Sequence, residues 1–140
     1  MKAHLTRRYW FSASHRLHSD ELSDEQNQAT YGKCNNPHGH GHNYALEVTV
    51  AGPVAPKTGM VCNLVDLDEF VRKNILERFG HENLNTLAEF GDVVPTTENL
   101  CREIYRRLQG FPAARLERVR IEETAANSFE YRGDRRETRT

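Results

Sequence analysis

The stretch CNNPHGHGHNY, Cys34 to Tyr44, carries one thiol and three imidazoles within nine residues. Neutral imidazole nitrogen is a good ligand for a borderline metal ion, and a thiol beside a cation gives up its proton more readily, so the stretch supports metal binding, thiol base catalysis or both. If HGHGHNY opens a strand, His40 and His42 project from one face, where both can reach a single ion, and His38 continues the alternation. Glycines at 39 and 41 remove side chains from the opposite face and leave room there for close approach. A single histidine is more often a solvated surface residue. Three at alternating spacing favour a metal, and zinc is the expected ion because nitrogen donors suit it without carboxylates. Two histidines are too few, so a further ligand is expected from His38, from Cys34 or from elsewhere in the chain. Three protein ligands and an open position would mean catalysis; four would mean a structural staple.

These residues need elements to hold them. HLTRRYWFSASHRL is short, β-branched and aromatic, and reads as a strand. Asp20 to Pro37 is polar and turn-rich, and is expected to be a long loop. In NYALEVTVAG, Leu46, Val48 and Val50 alternate with Ala45, Glu47 and Thr49, the pattern of a strand with one buried face. A GPVAPKTG turn then returns the chain through MVCNLV. From Leu67 to Phe79, Leu67, Phe70, Val71, Ile75, Arg78 and Phe79 recur at three-and-four spacing, predicting a helix capped by Asp66. A second helix is expected from about Thr97 to Gln109, with Thr96 as cap, Leu100, Ile104 and Leu108 on one stripe and Gly110 at the stop. LERVRIEE and NSFEYR complete the set as strands. This order predicts an α+β fold, a four-stranded antiparallel sheet with two helices on one face, whose exposed edges favour oligomerisation. Residues 1–132 are expected to form one domain and residues 133–140 a charged tail.

Composition narrows the function. Nineteen basic against twenty acidic residues give no general nucleic-acid or membrane-surface character. No apolar run approaches the roughly 20 residues that span a bilayer, so a cytoplasmic protein is expected. Three irregularly spaced cysteines argue against a disulfide framework. Cys62, read on a strand, and Cys101, on a helix, are expected to be small core residues.

The residues resemble a known family, the 6-pyruvoyltetrahydropterin synthases. FSASHRL, LSDEQN, YGKCNNPHGHGHNY, TGMVCNL, GHENLN, DVVPTTEN and EET occur in that family's order and approximate spacing, nearly to Arg132. The resemblance implies zinc held by His15, His40 and His42, with Cys34 unliganded as the catalytic base. It implies a catalytic role for His81 and a pterin-anchoring role for Glu123, whose carboxylate can accept paired N–H bonds from a guanidine-like edge. Glu122, its strand neighbour, faces the other way. Thr96, Thr97 and Glu98 match the family's pterin-contacting segment, although Thr-Thr-Glu is also a good helix start.

The activity so implied is conversion of 7,8-dihydroneopterin triphosphate to 6-pyruvoyltetrahydropterin with loss of triphosphate, in a homohexamer built as a dimer of trimers whose sheets join into barrels. Arg7, Arg16 and Lys33 are the triphosphate candidates by location. The rival is 6-carboxytetrahydropterin synthase, a same-fold enzyme of the queuosine pathway; a non-catalytic zinc- or pterin-binding relative is the other alternative. Five residues between Cys34 and His40 and the SDEQN loop favour the pyruvoyl enzyme. One departure stands out. Gly80 occupies the position before His81 where the family has Asp, so the imidazole's carboxylate partner is expected to be missing or replaced by Glu82 or Asp92, and restoring the Asp is expected to raise turnover unless one of them already serves.

Overall fold

In a computed structural model describing residues 1–134, two long strands form the frame. Strand β1, Lys2–His15, and strand β2, His40–Pro53, pair antiparallel along their whole lengths, with His15 opposite His40 and Ala13 opposite His42. Helix α1, Asp24–Tyr31, lies between them in sequence. After β2 come α2, Leu64–Val71, a π-helical turn Arg72–Leu76, and α3, Glu77–Phe79. Strand β3, Glu82–Asn83, is followed by α4, Thr97–Leu108, then β4, Arg115–Thr124, and β5, Asn127–Tyr131.

The sheet is five-stranded and mixed, in the order β3-β1-β2-β4-β5, rather than four-stranded and antiparallel. The extra strand is β3, a two-residue edge parallel to β1, too short to leave an alternating pattern in sequence. MVCNLV is not a strand. The chain turns there, and Asn63, not Asp66, caps the helix by accepting the Val65 amide. Cys62 is nevertheless buried, as is Cys101 on α4. The expected loop Asp20–Pro37 contains α1, fixed by a capping box in which Ser23 and Gln26 bond each other's backbone amides.

One face of the sheet carries the core. Phe11, Tyr44, Leu46, Val48, Val50, Val119 and Ile121 pack against Leu67, Val71, Ile75 and Phe79 of the first helical run and Leu100, Ile104 and Leu108 of α4. The four core residues of the first run are spaced by four, a step that drifts roughly 40° in a regular α-helix, and the wider π turn offsets that drift. The opposite face is polar. Glu47, only 8% exposed, is paired there with Arg8, Arg118 and Arg120, and Trp10 stands 66% exposed. Of the expected tail, Gly133 and Asp134 lie beside α4, where Asp134 is 3.6 Å from Arg102; residues 135–140 are outside the described residues. Among the described residues, no helix is long and apolar enough to cross a membrane.

Candidate active site

The full-length pairing of β1 with β2 brings His15 against the start of β2, and the two-residue alternation turns His40 and His42 to the same face. The chain can enter β2 so closely because Gly39 has φ +73°, and a Cβ there would sit 3.2 Å from the His15 carbonyl oxygen. Gly41 meets nothing unusual: a Cβ would make an ordinary 3.8 Å contact with Ala13. The ligand atoms of His15, His40 and His42 lie within 4.8 Å of one another. His38 is exposed, and neither it nor Cys34 belongs to this cluster.

The three imidazoles fit a metal ion. His15 Nε2, His40 Nδ1 and His42 Nε2 are buried and have no hydrogen-bond partner among the described residues. His15 is fully buried, and its Nδ1 is 2.8 Å from the Pro95 carbonyl oxygen, which leaves the Nε2 lone pair turned to the cluster. A backbone carbonyl behind an imidazole is the usual device that fixes a ligand's tautomer. Burial holds the pKa values of His15 and His40 below the ordinary value, and the neighbouring histidines lower them further, so both rings stay neutral, as metal ligands must.

Glu123 projects from β4 beside this cluster, with Oε2 3.4 Å from His42 Nε2 and 3.8 Å from His15 Nε2. Burial opposes its ionisation, but hydrogen bonds from Thr97 and Asn127 outweigh that and hold the carboxyl below the usual range. The Thr97 hydroxyl donates to Oε2 at 2.7 Å and the Asn127 amide to Oε1 at 3.1 Å. Thr97 therefore acts on Glu123. Thr96 is occupied capping α4 through the Asn99 amide, and Glu98 is exposed on the first turn. Glu122 faces the other way and binds Arg120.

Cys34 sits half-buried in a 3₁₀ turn, Gly32–Asn35. Its carbonyl accepts the Leu17 amide at 2.7 Å, while buried Asn35 donates to the Leu17 carbonyl at 2.8 Å and contacts His18 Nδ1 at 3.0 Å. The thiol is thus tied to the chain just after His15. Burial, helped by the Glu123 charge, pushes it up, opposite to the lowering expected for a thiol beside a cation. Arg16 bonds the Asn35 carbonyl at 3.1 Å, close to this turn, and Lys33 is exposed within it. Arg7 is elsewhere. It holds Asp68 of α2, about 26 Å along β1 from His15, and is not available to a ligand at this site.

His81 is exposed, with φ +61°, and its amide bonds the Ser12 carbonyl across the β1 edge. It lines a 450 Å³ depression at the β1 edge with Ser12, Ala13, Ser14, Gly41, His42 and Asn43. Within one chain it makes no hydrogen bond to Cys34 or to the three imidazoles. Sequence reasoning gave no role to Pro95, although DVVPTTEN contains it, or to Asn127; they act through a backbone carbonyl and a side-chain amide, which residue type does not signal.

The whole chain bears comparison with known proteins. A profile of the family described as 6-pyruvoyl tetrahydropterin synthase matches residues 4–134. The chain is 50% identical over 133 residues to the 6-pyruvoyl tetrahydrobiopterin synthase of Poecilia reticulata, covering 94% of this chain and 90% of that one. It is 47% identical over 135 residues to the human 6-pyruvoyl tetrahydrobiopterin synthase, covering 95% and 93%. A solved structure, the Caenorhabditis elegans 6-pyruvoyl tetrahydropterin synthase, superposes with a TM-score of 0.91 at 39% identity, covering 96% of this chain and 97% of that one. Matches of this extent, over a chain that gathers three imidazoles and a carboxylate at one place, show that it belongs to the 6-pyruvoyl tetrahydropterin synthase family.

Proposed function

We propose that this protein converts 7,8-dihydroneopterin triphosphate to 6-pyruvoyltetrahydropterin and triphosphate, using zinc held by His15, His40 and His42. The observation that carries this reading is the set of three buried, unpaired imidazole nitrogens within 4.8 Å of one another, with Glu123 alongside. Bound zinc supplies a Lewis acid that acidifies the C–H and O–H groups of the substrate side chain. Glu123, already oriented by Thr97 and Asn127, accepts N–H bonds from the pterin's guanidine-like edge and fixes which end of the substrate meets the imidazoles. Cys34, as thiolate, takes a proton from the side chain, and protons return to the ring as the side chain is oxidised. Electrons pass internally, so no nicotinamide is consumed. Triphosphate leaves by elimination, with Arg16 and Lys33 beside the Cys34 turn as its counter-charges.

His81 works as the proton-transfer partner of Cys34 in a neighbouring copy. Its exposure at the β1 edge, with no hydrogen bond to Cys34 of its own chain, supports a site completed between subunits of a homohexamer. Product analysis with 7,8-dihydroneopterin triphosphate tests the whole reading. A pyruvoyl pterin with triphosphate supports it; acetaldehyde with a carboxypterin identifies the side-chain-cleaving reaction instead; no turnover by folded, zinc-loaded protein defeats it.

A further inference from the structure

Asn35, the residue after Cys34, is buried, and no step of the proposed reaction uses its side chain. The 3₁₀ turn that carries both has no side-chain cap and begins at Gly32, where φ is +56°. One such turn has few internal bonds, so its place is set by what it holds on to. It holds residues 16–18, the segment directly after His15. Asn35 Nδ2 donates to the Leu17 carbonyl at 2.8 Å and lies 3.0 Å from His18 Nδ1. A carbonyl only accepts, so the amide turns its nitrogen to this pair, and its two hydrogens can serve both. The Cys34 carbonyl accepts the Leu17 amide at 2.7 Å, and Arg16 Nε donates to the Asn35 carbonyl at 3.1 Å. The segment is fixed in its turn by Asn85, which accepts the Arg16 amide at 2.7 Å and donates to the Arg16 carbonyl at 2.9 Å, continuing with side-chain atoms the pairing of β3 with β1.

We propose that Asn35 is a positioning residue for Cys34: its side-chain amide clamps the Cys34 turn to the segment after His15 and so sets where the thiol stands relative to Glu123 and the three imidazoles. Of the bonds between turn and segment, only those of Asn35 Nδ2 come from a side chain of the turn, so they can be removed without touching Cys34 or Arg16. Without them the turn keeps its backbone bond to Leu17 but no longer has one fixed orientation, and the thiol spreads over several places. The effect on turnover rests on the base role proposed for Cys34; the clamp itself does not.

The test uses two variants of the full-length, zinc-loaded protein, each alone and combined with Glu123→Gln. Asn35→Leu keeps the branched shape without donors, and Asn35→Asp presents oxygens where the amide presents hydrogens. Alkylation of Cys34 is followed by peptide mass spectrometry, which separates it from buried Cys62 and Cys101. Glu123→Gln should speed alkylation in the wild-type background, because the carboxylate charge opposes the thiolate, and should change it far less in either Asn35 background. With 7,8-dihydroneopterin triphosphate, both variants should lose about a hundredfold in kcat, the cost of a slightly misplaced reacting group, with KM and zinc content near wild type. An undiminished response to Glu123→Gln in the Asn35 backgrounds overturns the assignment. So does no response in the wild-type background, since there is then no placement beside Glu123 for Asn35 to hold. Loss of zinc or of the cooperative melting transition in both variants overturns it too, by making Asn35 a part of the general fold. If wild type forms no product, the functional reading falls and the alkylation comparison still decides the clamp.

Discussion

His15 and Cys34 are neighbours in the fold but differ in what holds them. His15 Nδ1 is committed to the Pro95 carbonyl and its Nε2 to the cluster, so the ring has one orientation, whereas the Cys34 thiol is anchored only through its backbone. This is the difference that the proposed roles of ligand and base require. His42→Ala should lose most bound zinc and Cys34→Ala should retain it, measured by metal analysis after dialysis; loss of zinc in the cysteine variant would make Cys34 a ligand. The thiol's electrostatics are also testable without turnover. In metal-free protein, burial and the Glu123 charge hold the Cys34 pKa above its ordinary value, so alkylation near neutral pH should be slow, and Glu123→Gln should speed it by removing the negative charge. Equal rates in the two proteins would remove Glu123 from the thiol's surroundings.

The segment between β3 and α4 delivers the Pro95 carbonyl, and Glu89 fastens it. Its carboxylate bonds Arg78 Nε at 2.6 Å and Arg107 Nη1 at 3.1 Å, joining the segment to α3 and α4. The Arg78 hydrogen bond is the main cause that lowers the Glu89 pKa to about 2 from an ordinary 4.5, against the opposing effect of burial. A depressed carboxylate stabilises the fold fully above its unfolded value and loses that contribution as pH falls toward its folded one. Glu89→Gln should therefore be less stable than wild type at neutral pH, and the gap should close between pH 4.5 and about 2; a gap independent of pH would contradict this. Gly80, at the end of α3, has a different constraint. A Cβ there would lie 2.6 Å from the Leu76 carbonyl oxygen. Gly80→Asp should thus cost about 1–3 kcal/mol in denaturant unfolding, as overpacking does, and the turnover gain expected from sequence requires the α3 end to shift first. Glu82 and Asp92 are exposed, and neither hydrogen-bonds His81. Much at this scale was legible: the alternation of His40 and His42, the N-cap of α4, the apolar stripes. Helix α1 was not read from its apolar pattern because Asn27 is its only buried residue, although Ser23 and Gln26 spell its start. His15 had no local signal at all. Its place came from resemblance, since only the register of β1 on β2 sets it opposite His40.

At the scale of the whole molecule, Cys34 and His81 make no hydrogen bond to each other within one chain, although both are proposed to act in one reaction. Cys34 lies with Glu123 and the imidazoles, and His81 lies beside the outer side of β1. If copies complete each other's sites, Cys34→Ala and His81→Ala proteins, each inactive, should regain activity when unfolded and refolded together, with about a quarter of sites intact for random mixing in a closed ring. No recovery in assembled mixtures would place both residues in one subunit's site. The bond between His15 and the Pro95 carbonyl has a consequence in time as well as in space. It spans 80 residues, and Thr97 and Glu123, which complete the surroundings, are 26 apart. No partly synthesised or partly folded chain can present these groups together, because closing such long loops precedes any reward from the contacts they make. The three imidazoles themselves meet as soon as β1 pairs with β2, so an ion held there would arrive before its surroundings are complete and would then stabilise the finished fold that closes around it.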